Sequence, residues 1–283
     1  MLGSTLFRAL SRGPNFEVFG SIRNSAWVQY FDSKLQANLS LEINLDEERS
    51  INASLSNLKP DFVINCVGVI KQRSISSDHL ECLSINSILP HRLSKACENV
   101  GAKLIHFSTD CVFSGRSGLY KESDFADAND LYGRTKFLGE VVGKNSLTLR
   151  TSIIGHELNS KKSLIDWFLS QTSEVNGFSR AVFSGLPTIE IAQVITDYVI
   201  PNPSLSGLYH LSVEPITKFD LLNLVADIYG KDINIIPNDR VEIDRSLDSS
   251  QFRAVTGFRP KSWLELIKNM RKDYLMINKI GKH

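Results

Sequence analysis

Tyr132 and Lys136 stand four residues apart in the string Tyr132-Gly133-Arg134-Thr135-Lys136, and a helix there puts both side chains on one face, a turn apart. A phenol is a weak acid at neutral pH. An ammonium one turn away favours its phenolate, so the tyrosine can give a proton to a developing alkoxide or take one from an alcohol. Upstream, Ser108 and Thr109 follow the apolar run that starts at Lys103, which sets two hydroxyls at the carboxyl edge of a strand. Thr109 in that position would hold the carbonyl oxygen that Tyr132 protonates. Taken alone, a Tyr-x-x-x-Lys pair is most often two surface residues of a solvated helix; a buried strand ending in Ser-Thr supplies the context that gives it chemical sense.

Such side chains need a scaffold, and the chain alternates short β-rich runs with amphipathic helical runs up to about residue 155, the pattern of a doubly wound parallel sheet. Leu2, Leu6 and Leu10 mark the buried stripe of a first helix that ends near Gly13-Pro14. Strands are expected at Glu17–Ile22, Leu41–Leu45, Asp61–Gly68, Lys103–Ser108, Leu147–Ile154 and Gly207–Ser212. Helices are expected at Glu47–Leu58, Ser77–Val100 with a bend or boundary at Pro90, and Asn129–Lys144. The stretch His156–Gly185 reads as a helix plus a loop, and helices at Lys218–Tyr229, Leu247–Thr256 and Ser262–Lys279 follow. Ligands of parallel sheets bind beyond the carboxyl ends of the strands, so the residues after each strand are the places to search.

Composition bounds the function from outside. The 283 residues are 42% hydrophobic and 22% charged, with a net charge of +1, which gives no electrostatic footprint for nucleic acid or an anionic membrane surface. Four cysteines, Cys66, Cys82, Cys97 and Cys111, show neither a C-x-x-C pair nor zinc spacing and read as buried thiols of a reducing compartment, with no metal site. No signal peptide and no apolar run of membrane-spanning length is visible, so the cytoplasm is the expected location.

The strings around the two hydroxyls and the Tyr-Lys pair extend further. Ser108, Thr109, Asp110, Val112, Phe113 and Gly115, then Tyr120, Glu122 and Asp124, then Tyr132, Gly133, Thr135, Lys136, Gly139 and Glu140 resemble the S-T-D-Y-V-F-x-G, Y-x-E-x-D and Y-G-x-S/T-K-x-x-G-E segments of the extended short-chain dehydrogenase/reductase superfamily, in its dTDP-4-dehydrorhamnose reductase-like branch. Cys111 replaces the usual Tyr of the first segment. Leu149 to Ser152, Gly185 to Thr188 and Gly207 to Ser212 extend the resemblance over nearly the whole chain. It implies an α/β fold: a Rossmann-type doubly wound sheet over 1–155, with 186–212 returning to it, and a smaller, mostly helical substrate domain from 156–185 and 213–283. Thr109, Tyr132 and Lys136 become the implied catalytic residues, with Lys136 also reaching a cofactor ribose.

The resemblance also implies a nicotinamide dinucleotide. Its pyrophosphate turn, G-x-x-G-x-x-G after a first strand, has only Gly3 as a candidate, because the preceding strand and two glycines are absent from the sequence. Either the start is set too far downstream or the chain is truncated; truncation predicts an exposed central sheet edge and weak dinucleotide binding. Arg23, beyond the Glu17–Ile22 run, suits an adenosine 2′-phosphate and points to NADP(H) over NAD(H), or is a solvated loop residue. Asp46 contacts adenine or caps the helix from Glu47. Asn65 and Gly68 resemble the family's close-approach turn, and Asn86 its brace between central helix and active site, or a helix-interior amide bonding backbone.

For the substrate, an implied nucleotide sugar, Ser108, Arg150, Thr151, Ser152, Ser184, Pro187 and Thr188 are the expected walls. His156 is expected to be structural. Arg180 or Arg245 would meet the diphosphate or bind only water. Reduction of the 4-keto group of a deoxy sugar nucleotide, in deoxysugar and surface polysaccharide biosynthesis, is the activity implied, by a monomer or a homodimer. An epimerase or dehydratase of the same superfamily and a non-catalytic regulatory subunit are the alternatives.

Overall fold

The computed structural model describes residues 1–40, 43–70 and 78–280, with side chains described to residue 277. Its centre is a four-stranded parallel sheet in the order Gly207–His210, Ser146–Thr151, Lys103–Thr109, Phe62–Asn65. The Lys103–Thr109 strand is buried along its whole length, as an apolar run covered on both faces requires. Its side chains alternate: Ile105 and Phe107 join a core with Leu2, Leu6 and Leu10 of the first helix (Leu2–Arg12), Ile191, Ile195 and Leu266. Leu104 faces the opposite way into a second core with Ile51, Leu55, Leu89 and Leu93. Helices on both faces make this a doubly wound α/β fold.

The strand expected at Glu17–Ile22 shrinks to Gly20–Ser21, paired in parallel with Leu39–Ser40 as a separate two-stranded sheet. Of the Leu41–Leu45 run, residues 41 and 42 lie outside the described residues and 43–45 are irregular. Helix Glu48–Leu58 stands where it was expected. The long helix over 79–100 passes Pro90 without breaking, because Leu83–Ile88 widens into a π-helical turn. Proline lacks the N–H that would bond the carbonyl four residues back, and the wider turn absorbs that loss. The helix that carries Tyr132 is Leu131–Leu138, shorter than the Asn129–Lys144 run suggested: Asp130 accepts from Gly133 N at 2.8 Å and starts it, and the chain turns at Gly139.

The carboxyl-terminal part is helical, with helices Leu164–Ser170, Lys218–Tyr229, Ser250–Thr256 and Trp263–Ile280. The stretch 156–185 nonetheless contains two strands as well as its helix. Val175–Phe178 pairs with Ile235–Asn238, and Ala181–Phe183 pairs with both Ile216–Thr217 and Ile243–Asp244. These strands of two to four residues are too short for a period-two signal to emerge from sequence. Among the described residues no helix is long and apolar enough to cross a membrane.

Candidate active site

Two glycines set the site by permitting close approach. A Cβ on Gly133 would fall 2.2 Å from the Cys111 carbonyl oxygen, and one on Gly139 would fall 1.9 Å from that of Asn86. The Leu131–Leu138 helix is thereby pressed between the segment leaving the Lys103–Thr109 strand and the π-turn of the 79–100 helix. Asn86, 1% exposed, braces the same junction: its Oδ1 accepts from Val69 N at 2.9 Å, while Nδ2 donates to Val69 O at 3.1 Å and to Thr135 Oγ1 at 3.3 Å.

Thr109, Tyr132 and Lys136 converge at this strand end. Tyr132 hydrogen-bonds the Thr109 side chain, and Thr109 Oγ1 also donates to Asp110 Oδ1 at 3.0 Å and accepts from Cys111 N at 3.1 Å. Lys136 is buried and donates from Nζ to Phe107 O at 2.6 Å. The expectation that Lys136 lowers the pKa of Tyr132 is not met. Burial holds the phenol well above its ordinary value, Cys111, Asp110 and Asp130 push the same way, and the Thr109 hydrogen bond only partly opposes them. Lys136 is turned towards the Phe107 carbonyl, and burial pulls it down to about 8 against the raising influence of Glu140. A protonated tyrosine beside a threonine hydroxyl is the form needed to donate a proton to an oxyanion.

Beneath the site lies a buried polar spine that the sequence reading passed over. Arg150 grips Glu140 with two hydrogen bonds, Nε to Oε1 at 2.7 Å and Nη2 to Oε2 at 2.8 Å, and Ser108 Oγ donates to the same Oε1 at 2.7 Å. Arg150 Nη1 lies 3.3 Å from His210 Nε2, and His210 Nδ1 lies 2.9 Å from Tyr120 O. Tyr120 in turn accepts at its hydroxyl from the main-chain N–H groups of Gly115, Arg116 and Ser117 at 2.9 to 3.1 Å. Ser108 and Arg150, expected as pocket walls, are therefore engaged inside the protein. Glu140 and Tyr120 stood in the recognised strings, but nothing in their spacing announced a shared network.

The sequence profile of the RmlD substrate binding domain matches residues 1–276. The chain belongs to the RmlD substrate binding domain family. Solved structures share its fold at low identity. The dTDP-4-dehydrorhamnose reductase of Bacillus anthracis str. Ames, in complex with NADP, superposes with a TM-score of 0.75 at 18% identity, covering 90% of this chain and 98% of that one. The Bordetella bronchiseptica enzyme WbmG, in complex with NAD and UDP, gives 0.74 at 18% identity over 99% and 93%. Methionine adenosyltransferase 2 subunit beta of Xenopus laevis is 26% identical over 264 residues, 84% of this chain and 70% of the relative.

The remaining positions singled out from sequence take varied places in this RmlD-family chain. Gly3 brings the first helix onto the end of the Phe62–Asn65 strand, where a Cβ would lie 3.2 Å from Cys66 Cβ, and Gly68 faces Asn86 Oδ1. Asn65 turns inward, accepting from Val67 N at 3.0 Å and lying 3.1 Å from His106 Nδ1. Arg23 is exposed beyond Ser21. Asp46 does not cap the Glu48–Leu58 helix: Glu47 holds the cap position, and Asp46 Oδ1 accepts from Ser84 Oγ at 2.9 Å. Ser152 hydrogen-bonds Asp110 at the site, Thr151 Oγ1 donates to Ser152 O at 3.2 Å, and Thr188 beside Pro187 accepts from Thr5 at 3.2 Å. His156 is held between Asp166 at 2.5 Å and the Tyr229 hydroxyl at 2.8 Å, with its ring stacked on Tyr274. Arg180 pairs with Glu242 at the surface, whereas Arg245 reaches the site. Cys66 and Cys111 are only partly buried, unlike Cys82 and Cys97.

Proposed function

We propose that this chain reduces the 4-keto group of a nucleotide-activated deoxy sugar with NADPH, as a dTDP-4-dehydrorhamnose reductase-like oxidoreductase of deoxysugar and surface polysaccharide biosynthesis in the cytoplasm. The observation that carries the reading is the meeting of Thr109, a protonated Tyr132 and a buried Lys136 at one strand end. The nicotinamide, when bound, supplies the hydride.

The chain's own residues support a place for that group. Lys136 holds its ammonium inside the protein with one hydrogen bond to Phe107 O, so its other N–H bonds suit a pair of ribose hydroxyls. Gly3 packs on Cys66 and Gly68 on Asn86 Oδ1, where the first helix and the π-turn meet the end of the Phe62–Asn65 strand, and exposed Arg23 suits a 2′-phosphate. The role expected for Asp46 is weaker, since Ser84 already engages its carboxylate. In this reading Thr109 holds the keto oxygen, Tyr132 delivers the proton to it, and Lys136 holds the cofactor ribose. Ser152, Thr151, Pro187 and Thr188 border the sugar, with residues 156–185 and 213–283 serving as the substrate half and 1–155 with 186–212 as the cofactor half. The nucleotide sugar, and in the assembly a second copy of the chain, are the partners.

Loss of NADPH absorbance with dTDP- and UDP-linked 4-keto-6-deoxy sugars tests this, since net consumption separates a reductase from an epimerase or dehydratase. Tyr132→Phe is expected to lower the rate by roughly 10²-fold or more with circular dichroism unchanged. No turnover across the panel sinks the reading. A second reading, a non-catalytic subunit of another enzyme, is favoured by the likeness to methionine adenosyltransferase 2 subunit beta. It predicts that Tyr132→Phe leaves binding to such a partner enzyme intact.

A further inference from the structure

Arg245 is a cation drawn to the site from the carboxyl-terminal half whose role the reduction itself does not explain. Its stem is built into the fold. Gly115, at φ +88°, has no side chain, and a Cβ there would lie 3.0 Å from Arg245 Cγ and 2.4 Å from Ile243 Cγ1. Main-chain hydrogen bonds from Asp244 N to Gly115 O at 2.8 Å and from Tyr120 N to Ser246 O at 2.9 Å staple the two segments together. The guanidinium is then oriented by Nε donating to Phe113 O at 2.9 Å, with Nη1 3.8 Å from Cys111 Sγ.

Cys111 is half-buried and close enough to Tyr132 to disturb its phenol. Arg245 and Cys111, in contact with each other, therefore lie beside the Thr109–Tyr132 pair. Among the described residues no carboxylate lies within ion-pair distance of Arg245. Asp110 feels its charge, but the Asp110 carboxyl takes its hydrogen bonds from Thr109, Cys111 and Ser152.

A fixed guanidinium edge beside a small, soft sulfur asks for a ligand group with an acceptor oxygen at one end and a small apolar end at the other. A ring hydroxyl is too short to satisfy the guanidinium and cover the sulfur together. A carboxylate would bring a second anion beside Asp110. An acylamino group meets both demands, with its carbonyl oxygen accepting from Arg245 and its methyl packed on Cys111. We propose that Arg245 and Cys111 form a pocket for an acylamino substituent, such as acetamido, on the sugar ring that is reduced. The proposal rests on the nucleotide-sugar reading above and narrows the sugar within it.

Isothermal titration calorimetry with UDP, dTDP and their glucose and N-acetylglucosamine conjugates tests it on the full chain. The expected result is that the N-acetyl conjugate binds about tenfold more tightly than the glucose conjugate, the worth of one well-made hydrogen bond. Arg245→Met, which keeps the stem packed on Gly115, should bring that ratio to about one with nucleoside diphosphate affinity unchanged. Cys111→Tyr should do the same by filling the space, and Arg245→Met decides alone if the tyrosine variant does not fold. A ratio near one in the unaltered chain, or one that survives Arg245→Met, overturns the pocket while the nucleotide-sugar reading stands. Failure to bind either nucleoside diphosphate overturns both.

Discussion

With its ammonium buried against the Phe107 carbonyl, Lys136 is pulled down to about 8, so its charge titrates close to physiological pH. The proposed chemistry needs the charged form, because the ammonium has three N–H donors, one for Phe107 O and two for the ribose hydroxyls, and the neutral amine has only two. Protonation is complete well below pH 8 and is lost as pH rises through it. The reductive kcat/KM is therefore expected to be level in the acid range and to fall above about pH 8. Lys136→Arg keeps its charge throughout and should remove that limb, at whatever cost in absolute rate. A limb that persists in Lys136→Arg assigns the titration to another group. That Thr109, Tyr132 and Lys136 meet at one strand end was legible in the sequence only with the strings around them, because the i, i+4 spacing alone fits a solvated helix equally well. The direction of the Tyr132 shift was not, since it depends on burial and on Cys111 and Asp110, which only the folded chain brings near.

The Gly207–His210 strand shows how one element ties the site to the stability of the sheet. His210 is fully buried, and its hydrogen bonds fix the neutral tautomer: Nδ1–H donates to Tyr120 O, and Nε2 accepts from Arg150 Nη1. A proton on Nε2 would face the Arg150 guanidinium, and burial together with that charge pulls His210 down to about 4. The unfolded chain binds this proton near pH 6.5 and the folded chain does not, so stability falls as pH drops from about 6.5 towards 4, by about 3 kcal/mol in all. His106, also buried and lowered, acts in the same direction; Asp110 and Glu122, raised by burial, oppose it. Urea unfolding at pH 5 and pH 7.5 measures the slope. His210→Gln, whose amide can both donate and accept, should flatten it, and an unchanged slope would place the effect elsewhere.

Elements differed in how far sequence reached them. The run Lys103–Ser108 declared itself because a strand buried on both faces is continuously apolar, and Glu48–Leu58 because its apolar period is helical. The π-turn at Leu83–Ile88 left no trace beyond Pro90. Gly139 ends the Tyr-Lys helix for a tertiary reason, the approach of the Asn86 carbonyl, that no local pattern encodes.

At the scale of the whole molecule, the first and last helices meet at three charged groups and leave one of them poorly served. Arg12 Nη1 lies 3.3 Å from Asp273 Oδ1, and buried Arg8 shares the field of the same carboxylate. Arg8 Nε and Nη1 find no hydrogen-bond partner among the described residues, and burial lowers its pKa while Asp273 raises it. One carboxylate thus offsets two guanidiniums, one of them desolvated, between helices Leu2–Arg12 and Trp263–Ile280. Asp273→Ala should cost about 3 kcal/mol, since it strands a buried cation. Arg8→Met replaces that cation with an apolar chain of similar reach and should be neutral or mildly stabilising. Combined, Arg8→Met should recover most of what Asp273→Ala loses, because the penalty belongs to the pair. Thermal unfolding of the two single variants and the double variant measures the coupling. Strict additivity would mean that Asp273 holds the two helices together through Arg12 alone, with Arg8 a bystander in the junction.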